Sequence, residues 1–184
     1  MESPSNPPET QDRPLTIRSG YVPGMIGSVT KLHGTYYSVY WKLGLFFESK
    51  VAKELATFFD QFDPERDGIW SAMLGGEIVG AITIVGDRGD PRRCRLRWFI
   101  VSPEHQGQGI GNRLMSEAMA FCQRRGFEFV YLTTFEGLDA ARHLYEKWGF
   151  RLDEEKEEET WGLRLREQRF LWARGRMDSS CLGN

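Results

Sequence analysis

Glycines at 107, 109 and 111 follow a β-rich run ending at Val101 and precede a stretch with helical periodicity. Glycine leaves backbone N–H groups unobstructed, and the first turn of a helix has unpaired donors and a partial positive charge. A pyrophosphate can be held there, so Gln106 to Gly111 reads as an anion cradle. The spacing sets it apart from other phosphate loops: GxGxxG would need glycine where Asn112 stands, and no GxxxxGK run followed by Ser or Thr occurs. A glycine-rich helix start can also be a simple tight turn. Among the proton-handling groups, His33 has an ordinary pKa of about 6.5, suited to proton relay. Glu48 at a helix start could accept a proton directly or through water, although an acid in a first turn is favoured by the helix dipole alone. His33, His105 and His143 fit no metal motif, and Cys94, Cys122 and Cys181 show no CxxC spacing, so no metal site is expected.

These residues need a scaffold. Leu15, Ile17 and Ser19 suggest a first strand, and a helix runs from Pro23 to about Tyr40. Phe47, Val51, Leu55, Phe58 and Phe59 recur at three- and four-residue steps, predicting a second helix over 47–59. Ile69 to Leu74 and Ile78 to Val85 flank Gly75-Gly76 as a hairpin, and Cys94 to Val101 is the next strand. Ile110, Leu114, Ala118 and Phe121 share one face of a helix to Arg124, stopped by Gly126. Strand Val130 to Thr134, helix Asp139 to Trp148 and a closing hairpin from Phe150 to Trp172 complete a mixed α/β (α+β) chain. Cys94 and Cys122 fall mid-strand and mid-helix, the usual place of inert buried thiols.

The 184 residues carry 40% hydrophobic and 27% charged residues, a globular composition for about one domain. Residues 1–14, with four prolines, read as a disordered leader, 15–174 as the folded domain and 175–184 as a flexible tail. The net charge of −2 argues against a nucleic-acid partner. No run of 18 apolar residues and no signal-peptide pattern occurs, so no membrane role is expected and a reducing cytoplasm is the default localisation. The acidic run DEEKEEE from Asp153 to Glu159 reads as a solvated sheet edge or hairpin.

Gln106-x-x-Gly109-x-Gly111, after a strand and opening a helix, resembles motif A of the GNAT superfamily of N-acetyltransferases. Ala141-Arg142-His143-Leu144-Tyr145-Glu146-Lys147-Trp148-Gly149-Phe150 resembles the family's AxxLYExxGF helix end, in the family's order and separation. The resemblance extends from about Leu15 to Trp172. It is closest to the acetyltransferase portion of bacterial MarR–GNAT proteins, through His33-Gly34, Tyr36, FFESKVAKEL, Trp161-Gly162 and Glu167-Gln168. No MarR-like winged-helix half is expected within this chain.

The resemblance implies a GNAT fold: a twisted, mixed but mainly antiparallel sheet of about seven strands flanked by about four helices. It also implies acetyl-CoA as cosubstrate, between strands ending at Val101 and Thr134. Gln106, Gly107, Gln108, Gly109, Ile110, Gly111 and Asn112 would hold the pyrophosphate, with Arg113 close by. Phe99, Ile100 and Val101 would pair with pantetheine, the Val101 N–H facing the thioester oxygen. Where the wider family often has Asn, this chain has Leu138; Thr134 and Arg142 are the substitutes. Tyr145 would protonate the leaving thiolate, and Glu48 would lie in the acceptor wall as base, with His33 as second candidate. Trp41, Phe46, Phe47, Trp98 and Trp161 could line the acceptor pocket or simply fill the core. The implied reaction is acetyl transfer to a primary amine by direct attack; transfer of a longer acyl group and a non-catalytic acyl-CoA sensor are the alternatives. The acceptor's identity and homodimer formation stay open.

Overall fold

The computed structural model describes residues 14–159 and 162–175. Trp161, the leader apart from Pro14 and the tail apart from Gly175 lie outside the described residues.

In chain order the elements are β1 (Thr16–Ser19), α1 (Met25–Trp41), α2 (Leu45–Asp60), β2 (Gly68–Leu74), β3 (Glu77–Gly86), β4 (Arg93–Val101), a 3₁₀ turn (Pro103–His105), α3 (Ile110–Arg124), β5 (Phe129–Phe135), α4 (Asp139–Lys147), β6 (Arg151–Glu158) and β7 (Leu165–Ala173). The strands form one seven-stranded sheet in the order β1-β2-β3-β4-β5-β7-β6. Every neighbouring pair is antiparallel except β4 and β5. This is the mixed, mainly antiparallel sheet with helices on both faces that the sequence implies.

One face is covered by α3 and α4. Ile110, Leu114, Met115, Ala118 and Cys122 of α3 and Tyr145 of α4 pack with Ile82, Ile84, Leu96, Val130 and Phe170 of the sheet. The other face is covered by α1 and α2, where Met25, Val29, Phe47, Val51 and Leu55 meet Ala81, Trp98, Ile100 and Phe135. Both helix sets bury stripes at three- and four-residue spacing, as an amphipathic helix on a sheet must.

Two irregularities position the site. The β4–β5 ladder joins only Arg93, Cys94 and Arg95 to Phe129, Val130 and Tyr131, after which the parallel strands separate. In β4 itself, Arg97 pairs with Thr83 but Ile100 pairs with Ala81, so one extra residue is accommodated on β4. Trp98 absorbs it at φ 45°, a β-bulge. Because side chains alternate across a sheet, one inserted residue exchanges the faces beyond it. Cys94 and Leu96 therefore belong to the α3/α4 core, and Trp98 and Ile100 to the α1/α2 core.

The acidic run lies on β6, the sheet edge, where all residues but Glu158 are exposed. Among the described residues, no helix is long and apolar enough to cross a membrane.

Candidate active site

The separation of β4 and β5 opens a cleft of about 590 Å³ between the end of β4, the glycine loop and α4. Phe99, Ile100, Val101, Gln106, Gly107, Gly109, Ile110, Gly111 and Asn112 all line it. Gly109 is the N-cap of α3 at φ 78° and Gly107 lies at φ 76°, a region that L side chains avoid. The first helical bond of α3 runs from Arg113 N–H to the Gly109 carbonyl at 3.1 Å. The N–H groups of Ile110, Gly111 and Asn112 therefore lack intrahelical acceptors at the mouth of the cleft. Gly111 allows close approach: a Cβ there would lie a tight 3.3 Å from both Leu144 Cδ2 and Phe99 Cζ.

The backbone of Val101 faces the same space. Gly80 pairs with Val101, and Ser102 N–H donates to the Val79 carbonyl at 2.8 Å. In antiparallel alternation this directs the N–H and C=O of Val101 away from β3, towards the gap left by β5. Gln106 Nε2 donates to the Val101 carbonyl at 3.1 Å, tying the loop to the strand end. An open cleft, a helix start with free donors and a strand edge with a free amide fit a diphosphate-bearing thioester. Among the described residues, no group of three or more His, Cys, Asp and Glu is placed to hold a metal ion.

Beyond Phe99 and Tyr37, which line both spaces, the cleft adjoins a cavity of about 80 Å³ at the point where the strands part. His33, Phe47, Glu54, Arg95, Arg97, Trp98, Thr134 and Tyr145 line this cavity. Tyr145 is buried, with its ring 6.1 Å from Phe99, 6.1 Å from Phe150 and 5.9 Å from Phe170. Burial pushes its pKa upward, so the phenol keeps its proton at neutral pH.

The expectation that His33 relays protons with an ordinary pKa requires a correction, although its place on the first helix does not. It lies on α1, as the sequence implies, but is only 5% exposed, with Nδ1 donating to the Val29 carbonyl at 2.9 Å. Burial lowers its pKa to about 4, the Val29 bond opposing only in part. The ring is thus neutral at pH 7, with Nε2 as acceptor, and does not titrate near neutrality. Its unfolded value of about 6.5 exceeds the folded one, so protonation favours unfolding, and stability is lost as pH falls from about 7 towards 4. The loss at pH 5 is about 2 kcal/mol. Urea unfolding at pH 7 and pH 5 should show this loss in the native chain and its disappearance in His33→Gln; equal pH dependence in both would refute it.

Several other predicted residues point elsewhere. Glu48 is exposed and lines neither space; its carboxyl lies 2.9 Å from where a Cβ on Gly34 would stand, across the α1–α2 contact. Arg113 donates to the Leu15 carbonyl at 3.2 Å, beside β1. Arg142 pairs with Glu146 at 2.8 Å and lies over the Phe170 ring. Gln108 turns back to the Glu104 carbonyl at 3.4 Å. The Asn112 side chain accepts from Trp148 Nε1 at 3.2 Å, clamping α3 to the end of α4. Thr134 lines the cavity rather than the cleft. Trp41 packs on Phe135 at 4.6 Å, and Phe46 is exposed.

Sequence reasoning missed three groups. Glu54 is the carboxylate at the cavity, bonded to Arg97 at 2.5 Å and to Lys50 at 2.9 Å. Burial opposes its charge, but the two cations outweigh this and lower its pKa. Arg95 and Arg97 enter from β4. On α4, Ala140, Leu144 and Lys147 wall the cleft, and their three- and four-residue spacing was a usable signal.

A seven-stranded sheet split between its parallel strands, with a glycine-opened helix at the split, defines an α/β architecture with an anion-binding cleft. The model of the Acetyltransferase (GNAT) family matches residues 29–150, and the chain belongs to this family. It is similar to N-acetyltransferase family 8 member 3 of Rattus norvegicus, 35% identical over 86 residues, 45% of this chain and 37% of that protein. It is also similar to N-acetylaspartate synthetase of Danio rerio, 33% identical over 97 residues, 53% of this chain and 34% of that protein. The matches thus span well under half of these curated relatives. Among solved structures, yncA of Salmonella typhimurium with its cofactor acetyl-CoA superposes with a TM-score of 0.70 at 15% identity, covering 92% of this chain and 99% of that one. An acetyltransferase of the GNAT family from Streptococcus pneumoniae gives 0.66 at 22% identity, covering 87% and 99%.

Proposed function

We propose that this chain transfers the acetyl group of acetyl-CoA to a primary amine by direct attack in a ternary complex. The observation that carries the reading is the adjacency of two spaces at the β4–β5 split, with Tyr37 and Phe99 lining both: an anion-binding cleft at the glycine loop and a small cavity lined by Tyr145. The donors of residues 107–112 hold the diphosphate, and the Val101 N–H meets the thioester oxygen, where a fixed donor is worth about 3 kcal/mol as charge develops. The amine nitrogen bonds to the thioester carbon, the C–S bond breaks, and the Tyr145 hydroxyl delivers a proton to sulfur. A neutral His33 Nε2, or water held there, receives the proton leaving nitrogen; Glu48 does not line the cavity, and its carboxyl beside Gly34 would act only through water. Cys94 and Cys122 face each other in the core, Sγ to Sγ 3.7 Å, which disfavours an acetyl-enzyme on either. A cavity of about 80 Å³ favours acetyl over longer acyl groups. The narrower kinship with MarR–GNAT acetyltransferase portions, and a cytoplasmic setting, belong to the same reading.

The test is thiol release from acetyl-CoA against a panel of primary amines, beside calorimetric titration with coenzyme A. Binding with amine-dependent release is expected. Binding without release from any amine would leave an acyl-CoA sensor, and absence of both would refute the site.

A further inference from the structure

The cavity beside Tyr145 has a second neighbour. Arg95 and Thr133 line it and also line an outer pocket of about 290 Å³ on the β5–β7–β6 side of the sheet. The cleft, the cavity and the outer pocket thus lie in succession along the split, with Arg95 on the wall between the last two.

The arginines along these spaces are not equally partnered. Arg97 is neutralised by Glu54, whose second oxygen takes Lys50. Arg169, in the outer pocket, is engaged by Asp153 and Glu154 at 2.5 and 2.9 Å. Arg95 has no such partner: among the described residues it forms no ion pair, and its one hydrogen bond goes to Thr133 Oγ1 at 2.5 Å. Its Nε is buried without an acceptor. The guanidinium is held over the Tyr131 ring, 5.8 Å from the centroid, so its orientation is set while one edge stays unsatisfied. A buried donor without an acceptor is unfavourable, and a planar guanidinium is best satisfied by a carboxylate.

We infer that the acceptor amine bears a carboxylate close to its amino group, and that Arg95 selects for it at the cavity wall. The cavity of about 80 Å³ also receives the acetyl group, so it admits only the amine and the carbon that bears the acid group, with the carboxylate at Arg95 on the wall shared with the outer pocket. The remainder of the acceptor extends into the outer pocket. This inference rests on the acetyltransferase reading above.

The experiment compares three amino acids with their decarboxylated amines on the full chain with acetyl-CoA: alanine with ethylamine, phenylalanine with phenethylamine, lysine with cadaverine. For at least one pair, kcat/KM for the amino acid should exceed that of its amine by about 10-fold or more. Arg95→Gln should bring the two within about twofold by raising KM with little change in kcat, as expected for loss of a ground-state contact, and Arg95→Lys should restore part of the preference. Equal or better turnover of the amine in every pair overturns the inference while leaving the acetyltransferase reading intact, and the native chain alone decides this. A carboxylate preference untouched by Arg95→Gln overturns the assignment to Arg95. Coenzyme A binding with no thiol release from any of the six refutes the underlying reading, and the inference with it.

Discussion

Replacing Tyr145 by phenylalanine is expected to lower kcat by about 100-fold or more, the usual contribution of a positioned proton donor. The dissociation constant for coenzyme A should stay within about twofold of the native value, since binding rests on other groups. The hydroxyl lines the small cavity and has no hydrogen-bond partner among the described residues, so its removal orphans nothing. The ring contacts with Phe99, Phe150 and Phe170 survive the substitution, which should leave the unfolding midpoint nearly unchanged. Steady-state kinetics at saturating acetyl-CoA, read beside calorimetry, separates the two effects. A native kcat in the variant would remove Tyr145 from the proton path.

The second large effect is expected at Gly109, where an aspartate should weaken coenzyme A binding by about 100-fold or more. Its carboxylate would stand at the mouth of the α3 donors and repel a diphosphate in a partly dehydrated cleft. Asp and Asn are the non-glycine residues that best tolerate φ near 78°, and a Cβ at Gly109 meets nothing within 4 Å, so both variants should fold. Gly109→Asn matches the shape without the charge. Calorimetry on the pair isolates electrostatics from bulk: a much weaker Gly109→Asp than Gly109→Asn is expected. Similar affinity in both would mean that the diphosphate does not sit at this helix start.

Much of this architecture was legible in the sequence because apolar spacing reports directly on which face an element buries. The stripe Phe47-Val51-Leu55-Phe58 and the face Ile110-Leu114-Ala118-Phe121 both lie against the sheet as that spacing requires. The bulge was not legible. Arg93 to Val101 alternates polar and apolar up to Trp98, and nothing in the residue types signals that Trp98 adopts φ 45° and exchanges the faces. The carboxylate at the cavity was misplaced for a related reason. Glu48 opens α2 and suits its dipole, which draws the eye, whereas Glu54, three residues past Val51, lies on the apolar stripe where charge is unexpected. Arg113 was placed beside the cradle by its proximity in sequence, but its contact is with Leu15, 98 residues away, and such pairing is a property of the folded chain alone.

The exposed edge strand β6 carries Asp153, Glu154, Glu155, Glu157 and Glu158 within eight residues, with Lys156 and Arg151 as the opposing charges. A second copy trying to extend the sheet by hydrogen-bonding along that rim would bring two acidic rows to within a strand spacing of about 4.8 Å. Docking there would have to strip water from a row of charges already paired with Lys156, Arg164, Arg166 and Arg169, which guards the rim against runaway polymerisation and leaves its backbone groups to water.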